Sequence, residues 1–386
     1  MFLNRLRERA SSLSLRSRLL RERAATTKRP PLVVVPGPFG SVLRDPAGRR
    51  VWGESRRLFA GRDFFEDTPL RADGLLEGFD VVPGLWQHDV FGGLLRYLEQ
   101  IGGYRRGETL FGVAYDWRAG AFAGADALEQ TIRRVQGASD DAVDVLAISG
   151  GGMLLRLHLA RELERLGTRR SVRRAVYLAA PQRGAYLCFS HLQAGFSFLP
   201  RSRHHPPRDV ASLGGAFHLL PHPDDPLFVT PSGQAAGRSI YDPATWRTLG
   251  LALADEPRLA ERLAEAEGLH RRIETVAATA EDVVIAARDR QTARRVVVQT
   301  PVALPTCCDS DDVRTHAPGD GSLDEHTLAS LPGLMPDSLW WIPSPARSHI
   351  SLIAGPGARP FVLEALSRSP RVGRRDLYPL LGARPT

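Results

Sequence analysis

Three side chains far apart in the chain have the types needed to cleave or transfer an ester: the hydroxyl of Ser149, the carboxylate of Asp320 and the imidazole of His349, in that order. A serine hydroxyl becomes a useful nucleophile only when an imidazole takes its proton, and the imidazole keeps its tautomer only when a carboxylate holds the other ring nitrogen. Ser149 stands in Asp144-Val145-Leu146-Ala147-Ile148-Ser149-Gly150-Gly151-Gly152-Met153, an apolar run that delivers a serine into a glycine-rich turn opening a helix. Such a turn forces the serine into a strained conformation, so its neighbours must be small. Ala147 and Gly151 occupy the positions two before and two after the serine, where the usual pattern has glycine at both. The alternative is a glycine-rich strand-to-helix turn that binds a phosphate or nothing. No lysine follows the glycines, which argues against a P-loop.

Asp320 lies in Gly319-Asp320-Gly321-Ser322 and His349 in Ser348-His349-Ile350, two loop segments flanking the last expected strand. Taken singly, each is more simply an Asp-Gly turn or a surface histidine. Serine, acid and base in this order and context are harder to dismiss. Asp309, Asp311, Asp312 and Asp324 compete with Asp320, with Asp311 as second choice.

The elements that must position these groups alternate in type. Short apolar runs at 32–35, 109–115, 142–148, 174–180, 283–286 and 339–342 read as buried strands. Helical periodicity marks 90–101, 153–166 and 360–367. Alternating strands and helices predict a parallel sheet covered on both faces. In 153–166, Leu155, Leu159, Leu163 and Leu166 form one stripe that should pack on the sheet, with Gly167 as C-terminal cap. His158 on that helix is expected to face solvent. After Pro181 the pattern dissolves for about a hundred residues, apart from a helix near 257–273 opened by Asp255 as N-cap. That stretch is a candidate cap over a site.

The chain has 386 residues, 43% hydrophobic and 24% charged, with 36 Gly, 29 Pro and three Cys. This excludes a disordered chain and a disulfide scaffold. Cys307 and Cys308 are adjacent and read as plain thiols, so a reducing, cytoplasmic setting is expected. No apolar run spans a bilayer and no secretory signal precedes Pro30, so the mature chain is expected to begin near Met1. Residues 1–30 hold nine basic residues against two acidic, +7 of the total +8. With Phe2, Leu3, Leu6, Leu13, Leu19 and Leu20 at helical spacing, this arm is either an amphipathic helix on an anionic membrane or a solvated tail. Nucleic acid is a poor fit, because the arm lacks interleaved aromatics and the body is nearly neutral. No metal is expected, since His204-His205 have no converging ligands, and the chemistry read here calls for no cofactor.

Further blocks carry a family resemblance: Val35-Pro36-Gly37-Pro38-Phe39-Gly40-Ser41, Ala114-Tyr115-Asp116-Trp117-Arg118, the serine turn, Ala180-Pro181-Gln182-Arg183-Gly184, the Asp320 turn and the His349 loop. In this order, from about residue 31 to about 366, the chain resembles lecithin:cholesterol acyltransferases, and the Tyr-Asp-Trp-Arg block is the most discriminating element. The resemblance implies an α/β-hydrolase fold, a mostly parallel sheet with helices on both faces and an inserted cap. The expected organisation is arm 1–30, domain 31–368 with the insertion at about 185–280, and tail 369–386.

It also implies Ser149 as nucleophile, His349 as general base and acid, and Asp320 as the orienting carboxylate, acting on lipid esters such as phospholipids through an acyl-serine. The N–H of Gly150 would be one oxyanion donor. The family takes the second from the residue after the first Pro-Gly, here Pro38, which has no N–H. Phe39 is assigned in its place. Ile148, where relatives commonly carry histidine, should change pocket polarity, and Tyr115, Asp116, Trp117 and Arg118 should brace the site. Trp52, Phe59, Phe189, Phe196, Phe198 and Leu199 are candidates to line an acyl channel or pack locally. Two other functions stay open: a catalytically weak lipid- or partner-binding protein on a hydrolase scaffold, and a soluble esterase.

Overall fold

Apolar runs too short for helices became strands wherever a neighbour was available to pair. The computed structural model describes residues 29–54, 65, 68–82, 86–198, 202–298, 314–343 and 349–368. The arm up to residue 28, the tail 369–386, Phe59, Leu199, Cys307, Cys308, Asp309, Asp311 and Asp312 lie outside them. In chain order the strands are β1 (Leu32–Val35), β2 (Ser41–Arg44), β3 (Arg50–Trp52), β4 (Arg71–Leu75), β5 (Gly78–Val82), β6 (Trp86–Asp89), β7 (Leu110–Gly112), β8 (Val143–Ile148), β9 (Val172–Leu178), β10 (Phe228–Val229), β11 (Val283–Ala286), β12 (Arg290–Val297), β13 (Arg314–Gly319) and β14 (Leu339–Trp341).

Six of them form one all-parallel sheet in the order β14-β11-β9-β8-β1-β7. From β1 the chain first moves outward to β7, then returns to add β8 on the other side of β1. The winding therefore reverses between β1 and β8, and the loops leaving their carboxyl ends diverge into a crevice. Ser149 follows β8 directly and Gly37 stands two residues past β1.

Side chains alternate across this sheet into two apolar layers. Val33, Val35, Val145, Ala147 and Tyr177 face one layer, covered by α2 (Ala121–Gln136), α3 (Gly151–Leu166) and part of α8 (Leu259–Ile273). Leu32, Val34, Leu146, Ile148, Val176 and Leu178 face the other, covered by α1 (Gly92–Gln100) and α11 (Arg359–Ser367). Ile148 is thus wholly buried core, a correction to the expectation that it tunes a pocket. Leu155 and Leu159 pack as predicted, but Leu166 is 44% exposed because the stripe leaves the sheet in the last turn. Gly167 ends α3 in the left-handed conformation at φ 68°.

The segment between β9 and β11 holds α4 (Tyr186–Ala194), α5 (Pro207–Ser212), α6 (Gly214–His218), α7 (Pro243–Thr248), α8 (Leu259–Ile273) and β10. It packs around its own apolar core, in which Phe189, Phe217, Phe228, Trp246 and Leu263 are almost entirely buried. Phe189 therefore stabilises this unit instead of lining a channel. The N-cap of α8 is Arg258, not Asp255, and its side chain makes no capping bond. β10 continues as the edge of a second sheet, β10-β12-β13, so the cap is joined to the strand pair that leads to Asp320. Among the described residues no helix is long and apolar enough to cross a membrane.

Candidate active site

Ser149 sits in the left-handed region at φ 52°, a conformation that a side chain adopts only when its surroundings enforce it. Here they do so by close contact with the neighbouring strand ends. A Cβ on Gly151 would lie 2.3 Å from the carbonyl oxygen of Val35, and one on Gly152 would lie 2.6 Å from Cβ of Ala180. The Ser149 N–H donates to Leu178 O at 2.9 Å, which pins the turn to the neighbouring strand. Ala147 is fully buried between Val35 and Tyr177, so a methyl group is accommodated where the pattern has glycine.

The Ser149 Oγ lies 2.9 Å from His349 Nε2, and His349 Nδ1 lies 2.6 Å from Asp320 Oδ2. The carboxylate can only accept, so Nδ1–H donates to it and Nε2 is left to accept the serine proton. Asp320 is wholly buried, and its other oxygen accepts the N–H groups of Ser322 and Leu323 at 3.0 and 2.9 Å. The adjacent Gly321 N–H donates to Thr292 Oγ1 on β12 at 3.0 Å. His349 opens α10 (His349–Ala354). The rival Asp324 is occupied as N-cap of α9 (Glu325–Ala329), accepting from His326 N and Thr327 N.

The other wall is the loop after β1. Gly40 N–H donates to Gly37 O at 3.2 Å, closing a turn with Pro38 and Phe39 at its corner. Phe39 has φ 64°, the third position of a type II turn, where glycine is usual. A Cβ on Gly37 would come 2.9 Å from Gly150 N and 3.3 Å from Ser149 Cβ, so glycine is required for this loop to reach the serine turn. The Pro38 ring rests on Gly150, whose absent Cβ would lie 2.7 Å from Pro38 Cδ. Among the described residues no acceptor is bonded to the backbone N–H of Gly150 or of Phe39.

The Phe39 ring packs on Trp117 at 4.4 Å, Phe198 at 5.1 Å, Trp52 at 5.3 Å and Phe196 at 6.0 Å between centroids. Behind it is an apolar cavity of about 70 Å³ lined by Phe39, Trp117, Cys188, Phe196, Leu213 and Leu219. A smaller one of about 20 Å³ shares Pro38 and Trp117 and reaches Gly150 and Met153. Burial pushes the Cys188 thiol up to about 12, so it is an inert apolar wall. The smaller cavity ends at His218, whose Nδ1 accepts the Ala121 N–H at 3.0 Å while Nε2–H donates to Glu265 at 2.5 Å. Burial, offset by Glu265, depresses its pKa.

Tyr115, Asp116, Trp117 and Arg118 form a brace. Arg118 grips Asp116 through two nitrogens at 2.9 and 2.7 Å and donates to Thr68 O, and Trp117 Nε1–H donates to Ser41 O at 3.3 Å. His158 is the plainest correction. It is 3% exposed, with Nε2 2.9 Å from Ser171 Oγ, which also bonds Glu162. Its helix is buried on two sides, by the sheet and by α2, a position that a one-sided apolar stripe does not reveal. The sequence also gave no hint that His222, Asp224 and Glu274 bring three ligand-type atoms together. Arg183 lies 2.8 Å from His222 Nδ1 and Arg271 holds both Asp224 oxygens, so those lone pairs are already spent and the set suits a cation poorly.

With this geometry in view, comparisons with known proteins identify the fold. Residues 67–199, which run from before the brace through the serine turn, match the model of the lecithin:cholesterol acyltransferase family. The structure is similar to that of the Tle4–Tli4 complex, with TM-score 0.57 and 13% identity over 89% of this chain and 98% of that one. The chain thus has an α/β-hydrolase fold, with a segment similar to the lecithin:cholesterol acyltransferase family. The mature form of Bacillus licheniformis lipase BlEst2 aligns with TM-score 0.34 and 12% identity over 88% of this chain and 92% of that one. No curated protein matches this chain by sequence.

Proposed function

We propose that this chain is a serine-dependent lipase or O-acyltransferase that cleaves lipid esters, phospholipid-like ones included, through an acyl-serine. The observation that carries the reading is the unbroken hydrogen-bonded relay from Ser149 through His349 to buried Asp320. In the first step Ser149 Oγ bonds to the ester carbonyl carbon, its proton passes to His349 Nε2, and the carbonyl oxygen becomes an oxyanion. Collapse breaks the bond to the alkoxy oxygen, which leaves with the imidazolium proton. Water or an acceptor alcohol then repeats the sequence in reverse, giving free acid or a new ester.

Asp320 stabilises the transient imidazolium. Gly150 N–H and Phe39 N–H are assigned to the oxyanion, a role consistent with both being unspent. A missing donor would cost ~2.7–4 kcal/mol of barrier lowering. The apolar cavity beside the Phe39 turn suits an acyl chain better than a polar group. The basic arm is assigned to peripheral contact with anionic membrane on the cytoplasmic side.

Pro38 favours a second reading, a lipid- or partner-binding protein with a crippled oxyanion site. A fluorophosphonate probe separates the two. The enzyme reading expects labelling of wild type on Ser149, none of Ser149→Ala, and release or transfer of fatty acid only by wild type. Equal turnover by both proteins would remove Ser149 from the mechanism, and an unlabelled wild type would favour the binding protein.

A further inference from the structure

Away from the triad, β12 carries an irregularity that re-aims two charges. Its pairing with β13 slips between Ala293 and Arg295, so Arg294 is the extra residue of a bulge. In a regular strand, consecutive side chains point to opposite faces, whereas a bulge lets neighbours share one. Arg294 and Arg295 accordingly line the same cleft, together with Arg183, Asp225, Asp324 and His326.

The acids in this cleft are largely held by partners other than Arg294 and Arg295. Asp225 is gripped by Arg183 at 2.7 and 3.2 Å and touched by His326 at 3.1 Å. Asp324 spends Oδ1 on two backbone N–H groups, and Arg294 Nε stands 3.6 Å from that oxygen, beyond hydrogen-bond reach. The Arg295 guanidinium makes no hydrogen bond or ion pair to a described residue. Burial and the neighbouring Arg294 push its pKa down, the reverse of what a bound anion does. Three guanidinium groups thus face two carboxylates; Arg294 holds only a loose ion pair to Asp324, and the Arg295 fork has no partner among the described residues.

We propose that the β12 bulge cleft is an anion site, in which Arg294 and Arg295 hold the phosphate group of a lipid or free inorganic phosphate. A carboxylate is saturated by one guanidinium fork, while two forks on one face offer enough N–H groups for a tetrahedral phosphate. The site does not depend on the proposed catalytic reading, because none of its arginines touches the triad.

The test is titration of the full chain with inorganic phosphate at constant ionic strength, comparing wild type, Arg295→Gln and Arg294→Gln/Arg295→Gln. Cosedimentation with phosphatidylglycerol vesicles forms the second arm. Saturable phosphate binding by wild type that weakens about tenfold or more in the double variant supports the site. Arg295→Lys should fall between, since it keeps the charge and loses the fork. Parallel loss of vesicle binding identifies lipid phosphate as the ligand, and unchanged vesicle binding identifies the free ion. Phosphate should also raise the melting temperature of wild type but not of the double variant, a readout that separates lost binding from lost folding. The proposal fails if phosphate binds no better than chloride, or if all variants bind it alike. Ser149→Ala should bind phosphate as wild type does, whatever the outcome for catalysis.

Discussion

Two turns meet at the crevice, and each holds a side chain at positive φ, Ser149 at 52° and Phe39 at 64°. They are secured in different ways. The serine turn is fixed by backbone, with glycines pressed against Val35 O and Ala180 and an amide bonded to the adjacent strand. The Phe39 turn has one closing hydrogen bond, a Trp52 Nε1–H bond to its carbonyl, and a shell of aromatic rings, two of them from the cap. Strain at Ser149, the proposed nucleophile, is therefore locked in by the sheet, whereas strain at Phe39, the proposed oxyanion donor, depends on packing that can be loosened.

The contrast breaks most completely at the residue that joins the two turns. Gly37→Ala should drive a methyl against Gly150 N and lower kcat by about 10²–10³, as expected for loss of an oxyanion donor, with a smaller change in KM. Steady-state kinetics on a lipid ester would show it. Gly151→Ala drives the serine turn against the end of β1 at Val35 and Pro36. Its Cβ meets a carbonyl that cannot yield, so stability should fall by about 3 kcal/mol, read from denaturant unfolding.

Acidification should separate the turns without mutation. His270 in the cap is buried and donates Nε2–H to Leu220 O, and burial depresses its pKa to about 3. Between about pH 6.5 and that value the unfolded chain binds a proton that the folded cap does not, so stability falls as pH drops, by up to about 1.4 kcal/mol per unit. Hydrogen exchange should quicken at Gly40 before it does at Gly152 and Met153, and His270→Asn should remove the difference. Phe39→Ala, which keeps the backbone strain and removes the rings' anchor, should lower kcat/KM by about tenfold, more for long acyl esters than short ones. The smallest effect belongs to Ala147→Gly, about 0.5–1 kcal/mol of stability with unchanged turnover, since the strand already accepts the methyl.

The sheet was readable because its inner strands are mostly apolar and buried on both faces, and 32–35 and 283–286 coincide with β1 and β11 to the residue. The serine turn was readable for a related reason: its small residues answer to contacts a few positions away. The cap was not. Most of its helices have only five to nine residues, too few for a period to emerge, and its core draws Val296 and Val298 from a distant strand. His158 was misread because a side chain's second neighbour comes from tertiary packing. Which carboxylate meets His349 could only be ranked from the sequence, since Asp320 and Asp324 lie in one tight turn and differ only in what their oxygens already hold.

The second sheet ties the cap to the acid. Cap strand β10 is held by Val296 N–H to Leu227 O and Val298 N–H to Val229 O, both 2.8 Å, and four residues back along β12 Thr292 fastens the turn that presents Asp320. A cap built this way is no free-swinging door: any displacement of β10 pulls a strand whose other end steadies the carboxylate. Under the proposed function, admission of a bulky substrate and alignment of the proton relay would be mechanically linked, and a partner that clamps the cap would act on the chemistry without touching the serine.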